Sequence, residues 1–279
     1  MKTDLQFFTL AREGAVAKLV MNRPDKANGM TPEFWAELPQ IVRELDADPT
    51  VRTLVIAGAG RHFTGGMDLA SFQQIMHLVQ KEPGRAAFAL RQLILTLQDS
   101  FNALEASRLP VIAAVHGACI GGGIDMISAC DLRLASKDAT FSIEEIHIGM
   151  TADVGTLQRL PKLIAPGIVK ELAYTGRRFS PEEARSWGFV NEVCADAEAV
   201  QARAMELAHE IADKSPLAIS GIKQAVDYAR DHTVRDGLEQ IATWNAGMLR
   251  PEDLTAALQA RMAKKAAVFA DLEKVAGLG

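Results

Sequence analysis

The sequence predicts an α/β protein that ends in a region made of helices alone. Short apolar runs such as Val51–Ala57 and Pro110–Val115 are typical of buried strands. Each run leads into glycines and then into a helical pattern, which indicates strands alternating with helices. Beyond residue 196 the pattern is helical throughout, with helices expected at 197–214, 216–231, 233–249 and 251–269.

Composition limits the kind of protein this can be. The chain has 279 residues, of which 48% are hydrophobic and 23% are charged, as in an ordinary globular protein. Its net charge of −5 offers no basic surface, so we expect neither a nucleic acid nor a membrane as a partner. The 3 cysteines lack CxxC spacing, which favours buried, reduced thiols. Because neither end resembles a targeting signal, we expect a cytoplasmic protein.

The first element is expected to be a hairpin. Leu5–Leu10 and Ala15–Met21 have the apolar character of strands and flank a turn at Arg12–Gly14. After a turn-rich loop, Thr31 is expected to cap a helix, which Pro39 should kink. Helices are expected again over residues 69–105, with a break at Pro83–Gly84, and over residues 154–163.

Two strand ends present backbone lined by glycine. The first is Thr64–Leu69, and the second is Gly121–Asp125, which begins with three consecutive glycines. Glycine lets main-chain N–H groups approach a ligand without a Cβ in the way, and a helix N-terminus favours negative charge. Two such donors from separate loops are the architecture of an oxyanion hole. The competing interpretations are tight turns without a ligand and a phosphate site, although the usual phosphate-loop spacings are missing.

Several acidic residues near these glycines are candidates for proton chemistry. Asp125 lies inside an apolar helical run, where loss of water would raise the pKa of its carboxyl group. The alternative is that Asp125 is an ordinary first-turn acid stabilised by the helix dipole. Glu144 and Glu145 lie in an apolar loop, and Asp153 follows them.

Other polar residues close to the glycines have structural interpretations. Asp68 is typical of a helix cap, Asp131 of a turn at a strand end, and His116 of a packed core histidine. No Ser-His-Asp or Cys-His arrangement is evident. His, Asp and Glu with metal-ligand spacing are also missing from the sequence, so no bound metal is expected.

Three motifs, in order along the chain, resemble the crotonase (enoyl-CoA hydratase/isomerase) superfamily. Asn22–Asn28 (NRPDKAN) resembles the loop that contacts CoA in that family. Phe63–Leu69 (FTGGMDL) resembles the first oxyanion segment, and His116–Asp125 (HGACIGGGID) resembles the second. The resemblance covers nearly the whole chain.

The resemblance implies a fold, a site and an assembly. Residues 1–196 would form a spiral of ββα units with the CoA-ester site, and residues 197–279 a helical trimerisation region. The expected assembly is a homotrimer or a homohexamer. CoA would be part of an acyl-CoA substrate, so no separate cofactor is implied. The main-chain N–H groups of Met67 and Gly122 would hold the thioester oxygen. The other substrate-binding residues implied are Lys26, Asn28, Gly65, Gly66, Asp68, Leu69 and Gly121.

Within the superfamily the acidic residues select the reaction. A hydratase would have Glu at position 125 as well as Glu145, and no acid at position 153. Asp125, Glu145 and Asp153 together resemble the Δ3,5-Δ2,4-dienoyl-CoA isomerases. That resemblance implies transfer of a proton from C2 to C6 of a 3,5-dienoyl-CoA through a dienolate. By hypothesis Glu145 takes the C2 proton, Asp153 supplies the C6 proton, and Asp125 orients a partner.

Other functions remain open at this point. The main alternative is another crotonase reaction, either enoyl-CoA hydration or Δ3-Δ2 isomerisation with Glu145 as the sole base. An aryl-CoA reaction with Asp153 as nucleophile is also possible. RNA binding, a role of some superfamily members, is disfavoured by the acidic charge.

Overall fold

A twisted six-stranded sheet forms the centre of the molecule. The structure, a computed structural model, describes residues 5–274. The first two strands are antiparallel, and all other neighbours in this sheet are parallel. In spatial order the strands are β1 (Phe8–Glu13), β2 (Val16–Met21), β3 (Thr53–Gly58), β4 (Val111–Val115), β6 (Leu132–Ser136) and β8 (Glu192–Cys194). A second, two-stranded parallel sheet pairs β5 (Ala118–Ile120) with β7 (Thr140–Ser142).

Helices follow most of the strands, and the last part of the chain is helical. This order confirms the predicted α/β core with C-terminal helices. The helices are α1 (Pro32–Ala47), α2 (Leu69–Val79), α3 (Pro83–Ala106), α4 (Gly122–Ser128), α5 (Thr156–Arg159), α6 (Pro166–Thr175), α7 (Pro181–Ser186), α8 (Ala197–Ala212), α9 (Pro216–Tyr228), α10 (Val234–Met248) and α11 (Pro251–Met262). Short 3-10 turns occur at Pro24–Lys26, Glu144–Ile148 and Leu160–Lys162.

The N-terminal hairpin exists, but the expected position of its first strand was wrong. Strand β1 continues to Glu13, which pairs with Val16, so the turn is the two residues Gly14-Ala15. Gly14 has a φ of 58°, a conformation that suits glycine. Before β1, the N–H groups of Gln6 and Phe7 donate to the carboxylate of Glu37 instead of to a strand.

The details of three helices, α1, α5 and α11, differ from the expectations. Thr31 occupies the N-cap position of α1, but its side chain makes no capping hydrogen bond. The helix continues through Pro39 as far as Ala47. The helix expected at 154–163 is only the single turn of α5 followed by a 3-10 turn. Helix α11 ends at Met262 and not near residue 269; beyond it, Arg52 Nη2 donates to the Phe269 carbonyl (2.7 Å).

Both faces of the central sheet are covered. Along β3, Leu54 and Ile56 point into the larger apolar core, whereas Val55 and Ala57 point to the opposite face. Helix α8 covers that opposite face with residues spaced four apart, namely Val200, Ala204, Ala208 and Ala212. The structure therefore places α8 with the core, although the predicted domain boundary at residue 196 separates the two.

Helices α10 and α11 contribute no buried residue. Their apolar side chains face outward, for example Leu238 (64% exposed) and Leu258 (61% exposed). No described residue of α10 or α11 belongs to the apolar core on either face of the sheet. Among residues 5–274 no helix has the length and apolar character needed to cross a membrane.

Candidate active site

The fold brings the two glycine-containing segments side by side. The Thr64 N–H donates to the Ala118 carbonyl (2.9 Å), and the Ile120 N–H donates back to the Thr64 carbonyl (3.1 Å). The backbone of Met30 binds the first segment at two points. Its N–H donates to the Gly66 carbonyl (2.8 Å), and its carbonyl accepts from the Asp68 N–H (3.1 Å). These bonds fix the backbone of Gly66 and Met67 beside the start of α4.

Close approach of the two segments requires glycine. Gly66 has a φ of 87°, and a Cβ there would lie 2.8 Å from the Ile120 carbonyl oxygen. A Cβ on Gly123 would lie 2.7 Å from Thr64 Cγ2. Since real Cβ atoms do not come so close, a side chain at either glycine would push the segments apart.

Two main-chain donors are available where the segments meet. Gly122 is the first residue of α4, so its N–H has no partner within the helix. Within residues 5–274, neither this N–H nor that of Met67 donates a hydrogen bond to the protein. A Cβ built on Gly66 would lie only 3.7 Å from the Gly122 nitrogen. The predicted pair of oxyanion donors is thus brought together, and both N–H groups are unsatisfied.

A cavity of about 560 Å³ opens beside these two N–H groups. Apolar side chains form much of its wall, including Trp35, Leu69, Phe72, Met76, Ile148 and Met150. Asp125, Glu145 and Asp153 line the same cavity. The apolar members could not be recognised from the sequence, because a residue such as Trp35 has the spacing of any core-facing helical residue.

Asp125 is buried, with 1% of its surface exposed. Its Oδ1 atom accepts a hydrogen bond from the Thr156 N–H (2.6 Å) at the start of α5. Burial raises the pKa of Asp125 to about 6, although hydrogen bonding to Thr156 acts in the opposite direction. This carboxyl group is therefore desolvated, as the first of its two sequence interpretations requires.

Glu145 lies next to Gly121 in the 3-10 turn between β7 and α5. A Cβ on Gly121 would lie 3.1 Å from Glu145 Oε1, so the glycine makes room for the carboxyl group. Glu145 Oε2 is buried and has no hydrogen-bond partner in the described part of the chain. Burial, followed by repulsion from Asp125, raises the pKa of Glu145 to about 7. A carboxyl group with this pKa can take or give a proton near neutral pH.

Asp153 lies on the chain segment that connects this 3-10 turn to α5. It is half-buried, and partial burial raises the pKa of its carboxyl group. The charge of Asp153 also raises the pKa values of Asp125 and Glu145. Three carboxyl groups on one cavity repel one another as anions, so the cluster holds a proton more strongly than isolated carboxyls do.

Not every residue implied by the resemblance points its side chain at the cavity. Asn28 is fully buried, and its Nδ2 donates to the Ala59 (2.9 Å) and His62 (2.8 Å) carbonyls. These bonds occupy its amide, so the Asn28 side chain stabilises the loop, and the substrate-binding role implied for Asn28 stays a prediction. Asp68 pairs with Arg23 (2.6 Å) and accepts from the Ala70 N–H at the start of α2 (2.9 Å), as a cap does.

The remaining residues lie at the edge or in the floor of the site. Lys26 is exposed in the loop next to the cavity, and Leu69 is 81% exposed at its rim. Gly65 and Gly66 line the cavity directly. Glu144 also lines it, and its Oε2 atom accepts from Ser142 Oγ (2.6 Å).

A second and larger cavity, of about 970 Å³, lies on the other side of the segment that carries Asp153. Its wall contains the ion pair of Arg159 with Glu105 (2.8 Å), and it also contains Lys223, which pairs with Asp131 behind the wall (2.9 Å). None of the three clustered acids lines it. We therefore place the candidate chemistry in the smaller, more apolar cavity.

Comparison with known proteins agrees with this arrangement. Residues 11–271 match the family described as enoyl-CoA hydratase/isomerase. The chain is 41% identical over 262 residues to the peroxisomal Delta(3,5)-Delta(2,4)-dienoyl-CoA isomerase of Arabidopsis thaliana, covering 93% of this chain and 94% of that protein. It is 42% identical over 252 residues to the mitochondrial Delta(3,5)-Delta(2,4)-dienoyl-CoA isomerase of Homo sapiens, covering 90% and 77% of the two chains.

A solved structure has the same architecture. The crystal structure of an enoyl-CoA hydratase from Bacillus anthracis superimposes with a TM-score of 0.85 at 28% identity, covering 95% of this chain and 99% of that one. The crotonase-type fold expected from the motifs is thereby confirmed. With this fold, and with a family match that spans nearly its whole length, the chain belongs to the enoyl-CoA hydratase/isomerase family.

Proposed function

We propose that this protein is an isomerase that converts a 3,5-dienoyl-CoA into a 2,4-dienoyl-CoA. The observation that carries the proposal is the set of three desolvated carboxyl groups on one apolar cavity, Asp125, Glu145 and Asp153. The cavity ends at the unsatisfied N–H groups of Met67 and Gly122. Relatives at 41% and 42% identity bear the name of this activity, which supports the same conclusion.

The first step is removal of a proton from C2. This proton is acidic because the negative charge left behind spreads over the thioester oxygen and along the conjugated chain. Ionised Glu145 takes the proton as the C2–H bond breaks, for which its pKa of about 7 suits it. The Met67 and Gly122 N–H groups bind the oxygen as its charge grows. Each donor of this kind contributes about 3–4 kcal/mol in a site that excludes water.

The second step returns a proton at C6. The three carboxyl groups share protons, and the reactive form is the one in which Glu145 is ionised and Asp153 is protonated. From this form Asp153 donates its proton, and the C6–H bond forms as the double bonds move to C2=C3 and C4=C5. No atom is oxidised or reduced, and the product has the same composition as the substrate. The reaction leaves Glu145 protonated and Asp153 ionised, so a proton must pass between them before the next turnover.

Asp125 assists the two carboxyl groups that transfer protons, those of Glu145 and Asp153. Its charge raises the pKa of Glu145, which makes Glu145 a stronger base. Its bond to the Thr156 N–H joins α4, which carries Gly122, to α5, which follows Asp153. In this proposal Asp125 orients and tunes the site and does not carry the transferred proton.

The apolar wall of the cavity favours isomerisation over addition of water. Side chains such as Phe72 and Met76 would cover the acyl chain and keep water from the dienolate. The CoA part of the substrate is its carrier, and the two proton transfers need no redox partner. We therefore propose that no separate cofactor takes part.

The test is to incubate the purified protein with a synthetic 3,5-dienoyl-CoA and follow ultraviolet absorption. The reaction extends the conjugation of the diene to the thioester carbonyl, so absorption at longer wavelength should rise at a rate proportional to enzyme concentration. A parallel reaction with crotonyl-CoA measures hydration, which removes a chromophore. Rapid hydration of crotonyl-CoA without isomerisation would reject the proposal and indicate a hydratase.

Assembly and location are part of the same proposal. We propose a homotrimer or homohexamer, supported by the outward-facing apolar residues of α10 and α11 such as Leu238 and Leu258. Light scattering of the purified chain measures its mass, and a monomer would contradict the proposal.

A cytoplasmic location is supported by Cys119, Cys130 and Cys194, which are all buried and form no disulfide. A fluorescent fusion that localises to an organelle would contradict it.

A further inference from the structure

Asp153 lies in a stretch of backbone that makes few hydrogen bonds, although its neighbours Ala152 and Val154 are buried. Residues 149–155 lack regular secondary structure, and the stretch is bounded by Gly149 and Gly155, whose φ angles are 72° and 136°. Within the described chain, residues 151–154 make one hydrogen bond to the rest of the protein. It runs from Gln98 Nε2 on α3 to the carbonyl oxygen of Asp153, at 2.7 Å.

The same face of α3 also binds Arg159, which lies in the helix that follows this stretch. Gln98, Asn102 and Glu105 are spaced four and three residues apart, so they lie along one side of the helix. Asn102 Oδ1 accepts from Arg159 Nη2 (2.6 Å), and Glu105 Oε2 accepts from Arg159 Nε (3.0 Å). Arg159 is the last residue of α5 and is only 7% exposed.

Further contacts fix Arg159 and the start of α5. Glu105 also binds Arg230, which ties α3 to the residues that follow α9. Gly155 lies directly beneath the Arg159 guanidinium, where a Cβ would overlap the arginine. At the Asp153 end, the side chains of Ala152 and Val154 are buried in the apolar core, and the Gln98 bond is the hydrogen bond that orients the Asp153 peptide group.

We infer that Gln98 is a positioning residue for the proton transfer to C6, an inference that rests on the proposed function of Asp153. The amide of Gln98 fixes the direction of the Asp153 carbonyl and, through it, the backbone from which the Asp153 carboxyl projects. One neutral hydrogen bond contributes only about 1 kcal/mol to stability. Proton transfer is far more sensitive, because a displacement of about 1 Å in a catalytic group can slow a reaction about 100-fold.

The test separates the two proton transfers. Gln98→Met keeps the length of the side chain but removes its donor. We expect kcat for isomerisation to fall about 10- to 100-fold, while exchange of the C2 protons with deuterated solvent stays within about twofold of the unmodified rate. A general loss of structure would lower both rates together, since Glu145 and the two N–H donors serve the first step.

Two further variants serve as controls. Gln92→Met makes the same chemical change at an exposed position of α3 and should leave both rates unchanged. Gln98→His retains a donor at similar reach and should recover part of the isomerisation rate. If Gln98→Met fails to fold, Gln98→His still tests the inference, because its donor reaches the Asp153 carbonyl from a different position and should lower the isomerisation rate without lowering C2 exchange.

Three results would overturn the inference. Gln98→Met could isomerise as fast as Gln92→Met, it could lose C2 exchange and isomerisation in equal measure, or both Gln98 variants could fail to fold. These results can be distinguished from a failure of the proposed function, because in that case the unmodified protein would not isomerise a 3,5-dienoyl-CoA at all.

Discussion

The Asp125 carboxylate accepts a 2.6 Å hydrogen bond from the main-chain N–H of Thr156, which lies 31 residues further along the chain. This bond joins the start of α5 to the helix that presents Gly122. It also satisfies one oxygen of a carboxyl group that is 1% exposed. Burial nevertheless dominates, since the pKa of Asp125 is raised to about 6.

The raised pKa makes Asp125 a source of pH-dependent stability. A carboxyl group whose pKa is higher in the folded state stabilises the fold below its unfolded pKa of about 4, and this contribution is lost as the pH rises through about 6. A shift of about two units corresponds to about 3 kcal/mol. Urea unfolding of the unmodified protein and Asp125→Asn should therefore diverge by about 2–3 kcal/mol between pH 4 and pH 7.5, with the variant favoured at the higher pH. Parallel stability curves would contradict the prediction.

The pH dependence of the rate should report Glu145. If Glu145 is the base, kcat should fall about tenfold per pH unit below its pKa of about 7. Asp125→Asn removes a charge that raises this pKa, so the acidic limb should move to lower pH in that variant. If the acidic limb of the pH profile stays at the same pH in Asp125→Asn, the charge of Asp125 does not affect the pKa of the titrating group.

Replacing Glu145 itself should stop the first step. Glu145→Gln has the same shape but cannot accept a proton, so exchange of the C2 protons with deuterated solvent should cease. Mass spectrometry of the recovered acyl-CoA measures this exchange, and binding of a saturated acyl-CoA checks that the site is intact. Persisting exchange would remove Glu145 as the base.

Replacing Asp153 should stop the second step while leaving the first. In Asp153→Asn the C6 proton donor is lost, so isomerisation should fall by about 10²-fold or more. Affinity for a CoA ester should remain near that of the unmodified protein. Because C2 exchange depends on Glu145, it should continue. An unchanged isomerisation rate would contradict the role given to Asp153.

The oxyanion site can be tested without touching a carboxyl group. Gly66→Ala places a Cβ 2.8 Å from the Ile120 carbonyl oxygen, which should part the two segments and displace the Met67 N–H. Loss of one such donor lowers kcat by about 10²- to 10³-fold. Gly14→Ala is a matched control, since Gly14 also has a positive φ but has nothing within 4 Å of its Cβ position. Equal activity of both variants would argue against this oxyanion site.

Much of the fold could be predicted because it depends on local patterns. The β3 and β4 strands are continuous apolar runs, and Pro83 marks the break between α2 and α3 as expected. The errors occurred where distant residues decide the local structure. Glu37 binds the N–H groups of Gln6 and Phe7 and so keeps them out of β1, and no local pattern indicates this.

The sequence by itself identified the candidate residues for the chemistry. Glycines at two strand ends and acids in apolar surroundings are local features, so the oxyanion segments and Asp125 could be recognised from residue type and neighbours alone. Recognition of Glu145 and Asp153 as partners of Asp125 came from the family resemblance.

Only the tertiary structure decided which of these residues line one cavity and which contacts hold them there. It turned the Asn28 amide inward to bond the Ala59 and His62 carbonyls, and it placed Gln98 against the backbone of Asp153 across 55 residues of chain. The physical reason is that hydrogen bonds and desolvation depend on distances in space. A pattern of neighbours along the chain does not contain those distances.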